Sequence, residues 1–374
     1  MKIIMTGGGT GGHVNPALQI ANEVKKRIPD AEISFVGTKR GIESTLVPKQ
    51  GYEIDFVEVQ GFQRKFSGKA VKANVKAAKL SVTSVREAKK ILKSRKPDAV
   101  VGTGGYVSWP TVKAAAKLGI PCLIHEQNAY PGVTTKKLAK YASVICISFE
   151  GSKKYFSGKD EKKILLTGNP VSTEIVPREQ ARKELGLTED EPYILSFGGS
   201  MGARRVNELA FELMENYSVP NGIRHDHAIG RTEYEKFSSL AKEKGFDSEP
   251  CLHISEYIYD MALRQAAADV IICRAGAITM AELALRGKAA IYIPSPYVAE
   301  DHQYKNARLL ADAGAGIVFR EQELDADTLQ CAVDDLLKNP NKRKRMETAV
   351  RQFAMPDSTA RIADEVVRLA EKQN

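Results

Sequence analysis

Three glycine-rich turns constrain this chain most: Gly7-Gly8-Gly9-Thr10-Gly11-Gly12-His13, Gly102-Thr103-Gly104-Gly105-Tyr106 and Gly198-Gly199-Ser200-Met201-Gly202. Each directly follows a short apolar run, the pattern of a strand buried on both faces. Two of them open a helical segment, and glycine lets the backbone reverse tightly from one element into the next. Parallel strands need such a crossover, so strand, turn and helix in repetition predict a parallel α/β sheet. The turns also aim the first N–H groups of a helix at one point, which predicts anion-binding sites and a phosphorylated ligand.

The repetition occurs twice. Ile3-Ile4-Met5, Ile33 to Val36, Ala99-Val100-Val101, Cys122-Leu123-Ile124, Val144 to Ile147 and Ile164-Leu165-Leu166 form one series, and Tyr193 to Phe197, Val270 to Cys273 and Ala290 to Ile293 form a second. A length of 374 residues with 43% hydrophobic content suffices for two such cores. The openings of the two series, Ile3-Ile4-Met5-Thr6-Gly7-Gly8 and Ile194-Leu195-Ser196-Phe197-Gly198-Gly199, match as duplicated architecture would. Gly168-Asn169-Pro170-Val171 and Pro177 punctuate the chain between them. The expected domains are 1–167 and 168–350, followed by a C-terminal helical segment, 351–374, that packs back on the first domain.

Several classes are disfavoured. Apolar runs fall far short of the roughly 20 residues that span a bilayer, so a cytosolic or membrane-surface protein is expected. The five cysteines include no Cys-x-x-Cys pair, and reduced, buried thiols are expected. No His-x-x-x-His pair supports a metal, and Asp325-Ala326-Asp327 reads as acids at a helix N-terminus. The P-loop lysine is absent. A net charge of +9 suggests an acidic partner without choosing among nucleotide, anionic lipid and nucleic acid.

Candidate site residues gather where strands end. Gly7, Gly9 and Gly12 satisfy G-x-G-x-x-G, with Asn15 as expected N-cap and Pro16 at the first helical position. A dinucleotide reading also needs an acid after the second strand, where Phe35-Val36-Gly37-Thr38-Lys39-Arg40 supplies none. His13, closing the first turn, suits a general base or a loop-capping residue equally. His125-Glu126-Gln127-Asn128 places four polar groups at another strand end, which points to a site. Cys273-Arg274-Ala275-Gly276-Ala277 leads another strand into a helix whose Glu282 could accept hydrogen bonds from ribose hydroxyls, though taken alone it reads as an exposed helical acid. Downstream, His302 and Gln303 are candidate readers of sugar hydroxyls.

Between Arg64 and Arg86 the chain has no acid, and Lys69, Lys72, Lys76 and Lys79 fall on one helical face. Phe62, Phe66, Val71, Val75 and Val82 lie among them. Basic and apolar groups paired in this way suit an anionic membrane surface, and a solvated helix face is the competing reading.

Taken in order, Gly8-Gly9-Thr10-Gly11-Gly12-His13, Gly104-Gly105-Tyr106-Val107-Ser108, His125-Glu126-Gln127-Asn128, Gly168-Asn169-Pro170-Val171, Gly198-Gly199-Ser200-Met201-Gly202-Ala203 and Arg274-Ala275-Gly276-Ala277 closely resemble the MurG family of bacterial glycosyltransferases (family 28). The resemblance spans nearly the whole chain. It implies the GT-B architecture, two Rossmann-like parallel-sheet domains facing a cleft. It implies transfer of N-acetylglucosamine from UDP-GlcNAc to the C4 hydroxyl of MurNAc in undecaprenyl-linked lipid I, giving lipid II with inversion to a β-1,4 linkage. It further implies a peripheral protein on the cytoplasmic face of the bacterial cell membrane, with no required cofactor or metal and no nucleic-acid partner. Other cell-wall enzymes are candidate partners. The donor is expected on the second domain at Ser200, Met201, Gly202, Ile258, Met261, Arg274, Gly276, Ala277, Glu282 and Gln303, joined by Thr10, Gly11, Gly12 and Asn128 of the first. Ser200 and nearby backbone would meet the diphosphate, Ile258 and Met261 the uracil, Glu282 the ribose and Gln303 the sugar. Thr10, His13, Tyr106 and His125 are expected at the acceptor, with His13 and Asn128 catalytic.

Two positions depart from the family pattern. Ser172 stands where arginine is usual, leaving Arg178, Arg204 or Arg205 to compensate, and Trp109 replaces a small residue, where it could extend a membrane-facing patch. The competing functions are a UDP-sugar transferase with another lipid or small acceptor, and a non-catalytic UDP-sugar-binding protein.

Overall fold

The apolar runs become two all-parallel sheets in a computed structural model of the chain, which describes residues 1–61, 68–298 and 301–372. Strands β1 (Lys2–Thr6), β2 (Glu32–Gly37), β3 (Glu53–Phe56), β4 (Ala99–Gly102), β5 (Cys122–Glu126), β6 (Val144–Ile147) and β7 (Ile164–Leu166) take the order β3-β2-β1-β4-β5-β6-β7. In the other sheet β8 (Tyr193–Phe197), β9 (Arg224–Ala228), β10 (Leu252–Ser255), β11 (Val270–Cys273), β12 (Ile291–Tyr292) and β13 (Ile317–Val318) run in the order β10-β9-β8-β11-β12-β13. The strand order reverses between β1 and β4 in one sheet and between β8 and β11 in the other. Open α/β sheets bind ligands outside the carboxyl ends of strands at that reversal.

Each sheet is covered on both faces. In the first, Ile3 and Met5 point to a layer formed with Val14, Leu18, Ile362 and Val366, whereas Ile4 points the opposite way toward Leu92, Val112 and Ile145. That alternation is the period-two consequence of the pleat. In the second, Leu195, Ile271 and Cys273 face Leu283 and Leu310, whereas Ile194, Val270 and Ile272 face Val206, Leu209 and Val333.

The chain divides into two units, 1–172 with 355–374, and 173–354. The division falls beyond the expected 167/168 boundary because Asn169 Nδ2 donates to the Gln127 carbonyl and Thr359 Oγ1 to that of Val171, tying this segment to the first unit. The helix Ser358–Glu371 packs on the helix Gly11–Arg27 of the same unit, burying Ile362, Ala363, Val366 and Ala370.

Two local expectations are corrected. The first helix starts at Gly11, before the expected Asn15 cap, because the Thr10 carbonyl already accepts from the His13 and Val14 N–H groups. Pro16 therefore lies inside the helix, at the cost of one backbone hydrogen bond. Among the cysteines, Cys122, Cys146 and Cys273 are buried, whereas Cys331 is exposed and Cys251 partly so; all five are free.

Candidate functional site

The carboxyl ends of β1, β4 and β5 bring His13, Gln127 and His125 into one hydrogen-bonded chain. His125 is fully buried, and its Nε2 donates to the Gly168 carbonyl at 2.9 Å. Its Nδ1 is therefore the acceptor, taking a hydrogen bond from Gln127 Nε2 at 3.0 Å. The same amide nitrogen donates to the Thr103 carbonyl at 2.7 Å, which fixes the flip of the side chain. Gln127 Oε1 then faces His13 Nδ1 at 3.3 Å, with the Thr103 carbonyl at 3.2 Å. Two acceptors require a proton on Nδ1, so the neutral His13 ring carries its lone pair on Nε2, which has no partner among the described residues. Burial lowers the His13 pKa, against the opposing pull of Glu126, Gln127, Thr103 and Glu43. Burial also lowers His125, to about 4, keeping it neutral.

His125 was expected at the acceptor. It has no exposed surface and both ring nitrogens are engaged, which places it one link behind His13 in the hydrogen-bonded chain. Asn128 is half-buried, and its backbone and side-chain N–H groups donate to Glu126 Oε1 at 3.0 and 3.2 Å, while the Gly132 N–H donates to Glu126 Oε2 at 2.9 Å. Thr10 and Gly12 are exposed at the helix start, Gly11 is partly so, and the half-buried Tyr106 ring lies over Gly9.

The first glycine turn is packed rather than open. A Cβ on Gly7 would lie 2.0 Å from Thr103 Oγ1, on Gly8 2.5 Å from the Glu43 carboxyl, and on Gly9 3.1 Å from the Tyr106 ring. Glu43 Oε2 accepts the Gly9 N–H at 3.0 Å, so a carboxylate already holds a donor expected for an anion. The third turn contrasts with it. At Gly199, where φ is +95°, nothing would lie within 4 Å of a Cβ. Gly202 N–H is spent on the Gly199 carbonyl, while the N–H groups of Gly199, Ser200 and Met201 have no partner among the described residues. Arg231 N–H and Thr232 N–H hold the Ser200 and Met201 carbonyls, fixing the turn before the helix Arg204–Leu213.

The second unit contributes further candidates at the ends of β11 and β12. Glu282 is half-buried in the helix Ala277–Arg286, not an exposed acid, and burial raises its pKa against the pull of Arg286 and Gln265. Gln303 Oε1 accepts the Ser295 N–H at 2.9 Å, which turns its amide Nε2 away as a donor. Gly276 precedes the helix, whose first residue is Ala277, and Met261 is half-buried.

Three expectations change. Arg274 is committed to the Ile293 carbonyl at 2.9 Å and Glu321 at 2.5 Å, so its charge is already neutralised. Ile258 is buried in the core with Cys273 and Met280, leaving its backbone rather than its side chain for a ligand. Arg178 cannot replace the usual arginine at position 172, because it binds Asp269 and the Ala267 carbonyl at the amino ends of the strands. Arg205 is held by the Leu324 carbonyl, which leaves Arg204, exposed on the first turn beyond the glycines and paired with Glu208. Sequence reading missed Glu43, and the Gly37 and Gly41 that flank it were its only signal.

The basic segment forms part of the helix Gly68–Arg95. Phe62 and Phe66 lie outside the described residues, as do the side chains of Lys69, Val71, Lys72 and Lys76. Lys79 is exposed between Val75 and Val82, themselves 67% and 59% exposed, while Ala77, Ser84 and Val85 are buried. Trp109 packs against Tyr141 with Lys113 over its ring. Among the described residues, no helix is long and apolar enough to cross a membrane and no group of three metal-ligating side chains occurs.

Residues 3–147 match the glycosyltransferase family 28 N-terminal domain and residues 193–362 its C-terminal domain. The UDP-N-acetylglucosamine–N-acetylmuramyl-(pentapeptide) pyrophosphoryl-undecaprenol N-acetylglucosamine transferase of Acetivibrio thermocellus is 44% identical over 97% of this chain and 96% of its own length. A protein of the same name from Thermoanaerobacter sp. is 43% identical over 97% and 98%. The crystal structure of Acinetobacter baumannii MurG is 31% identical, with a TM-score of 0.72 over 98% of this chain and 99% of that one.

Proposed function

Because the chain belongs to glycosyltransferase family 28, with the two Rossmann-like domains of the GT-B fold, we propose that it transfers N-acetylglucosamine from UDP-GlcNAc to the C4 hydroxyl of MurNAc in undecaprenyl-linked lipid I, forming lipid II. The observation that carries this reading is near-full-length similarity to transferases named for that reaction.

The acceptor hydroxyl attacks C1 of the α-linked donor from the face opposite the diphosphate. The new C–O bond forms as the bond from C1 to the phosphate oxygen breaks, the electron pair leaves with UDP, and the product linkage is β. His13 Nε2 takes the hydroxyl proton, a role supported by the chain from Gly168 through His125 and Gln127 that fixes the tautomer. Asn128, held by Glu126, and Tyr106 and Thr10 orient the acceptor.

In the second unit, charge developing on the leaving diphosphate is met by the Ser200 and Met201 N–H groups and the N-terminus of the helix beyond Gly202. Such donors are already oriented before reaction, so they cost little reorganisation. Arg204, exposed on the first helical turn beyond Gly202, substitutes for the arginine absent at Ser172. Glu282 receives the ribose hydroxyls and Gln303 Nε2 donates to the sugar, while the Ile258 backbone and Met261 line the base. The exposed Val75, Lys79 and Val82 support a peripheral position on an anionic membrane surface.

The test is incubation of the purified protein with UDP-GlcNAc and a lipid I analogue, with mass spectrometry of the lipid-linked product. A gain of one N-acetylhexosamine is expected. Binding of UDP-GlcNAc without that product would replace the transferase reading with a binding-only one.

A further inference from the structure

The buried carboxylate of Glu43 has no partner of opposite charge among the described residues and lies inside the first glycine turn. Its Oε1 accepts the Thr38 N–H at 3.0 Å and the Thr38 hydroxyl at 2.6 Å, and its Oε2 accepts the Gly9 N–H at 3.0 Å. A buried carboxylate without a cation survives only when donors of this kind replace its hydration. Side-chain-free residues surround it on three sides: a Cβ at Gly8, Gly37 or Gly41 would come within 2.1–2.7 Å of its side chain. The Glu43 side chain therefore joins the end of β2 to the turn that ends at His13.

We propose that Glu43 is a positioning residue for the transfer reaction: its carboxylate fixes the Gly7–Thr10 turn that presents His13, and by filling that turn it bars an anion from it. The proposal rests on the reading of His13 as the base. It gives the matching glycine turns of the two units opposite electrostatic character. The first is filled by the chain's own negative charge, while the third has free N–H groups and an open Gly199. The donor diphosphate is thereby left to the open turn of the second unit.

The charged and titratable groups around His13 are Glu126 and His125 from β5, Glu43 from the helix Glu43–Lys49, and Tyr106 from the helix Gly105–Lys117. Of these, Glu126 and Glu43 favour the imidazolium. Removing the Glu43 charge should therefore lower the His13 pKa.

The test is Glu43→Gln, which keeps the volume but puts an NH2 group where an acceptor is needed. Kcat should fall by about tenfold to a hundredfold, the scale for a displaced catalytic group, with the KM for UDP-GlcNAc within about twofold of wild type because the diphosphate, ribose and base contacts proposed above belong to the second unit. Histidine NMR, with His13→Gln as the assignment blank, should show the His13 titration displaced to lower pH. Unchanged kcat and unchanged titration would overturn the proposal, as would parallel losses in donor affinity and thermal stability with the titration unmoved. If Glu43→Gln does not fold, Glu43→Asp keeps the charge but shortens the reach. It should lose kcat at constant donor KM, and unaltered kcat would overturn the proposal. The titration needs no substrate, so a wild-type protein that fails to turn over refutes the functional reading while leaving the effect of Glu43 on His13 measurable.

Discussion

Lowering the pH from 7.5 to 5.5 should destabilise the second unit through histidines that fold only in the neutral form. His225 and His227 are fully buried on β9, bridged by Ser196 Oγ at 2.8 and 2.7 Å and capped by Ser218 and Asn207. Burial lowers His227 from the ordinary 6.5 to about 3 and His225 well below its ordinary value. The unfolded chain therefore binds protons that the folded chain refuses. Stability is full above pH 6.5 and is lost as pH falls through 6.5 toward the folded values. At pH 5.5 an unfolded-state pKa of about 6.5 makes the cost RT ln(1 + 10), about 1.4 kcal/mol per histidine, or roughly 3 kcal/mol for the pair. Glu282, whose carboxyl pKa is raised by burial, opposes this loss, so the comparison must be made within one background. Urea unfolding monitored in the second unit should show the loss, and His227→Gln should reduce the pH-dependent part by about 1.4 kcal/mol. A pH dependence identical in wild type and His227→Gln would refute the reasoning.

Three other perturbations follow from the site. His13→Gln removes the lone pair on Nε2 and should lower kcat by roughly 10²- to 10⁴-fold while UDP-GlcNAc binding by calorimetry stays near wild type; normal turnover would remove His13 as the base. Gly199→Ala places a side chain at a φ of +95°, a strain of about 1–3 kcal/mol, and should weaken UDP binding in the same assay, whereas unchanged affinity would exclude the turn from the diphosphate site. Val75→Asp with Val82→Asp should reduce cosedimentation with anionic liposomes, and binding insensitive to both salt and these substitutions would place the membrane contact elsewhere.

Strands with uniform apolar runs, such as β1, β4, β5, β8 and β11, are legible in the sequence because both their faces are buried. The strands that were not legible have physical reasons. Strand β9, Arg-His-Asp-His-Ala, carries charge and imidazole into the core, where Tyr193, Arg224 and Arg264 surround Asp226 and a serine bridges the histidines. Its burial depends on partners distant in sequence, which no local pattern records. Strands β3, β10 and β13 lie at sheet edges, and β13 is only two residues long. In the site, glycine spacing located the turns but not what fills them: Gly7, Gly8 and Gly9 make room for Thr103, Glu43 and Tyr106, whereas Gly199 leaves open space. His13 and His125 stand alike at strand ends, and only the direction of their hydrogen bonds separates a free Nε2 from an engaged one.

Direct transfer to a lipid-linked acceptor is read out by steady-state UDP release. UDP-GlcNAc is supplied with and without a lipid I analogue at fixed salt. Release that depends on the analogue and falls with His13→Gln is predicted. Equal release with and without the analogue, or none despite saturating donor, would contradict it.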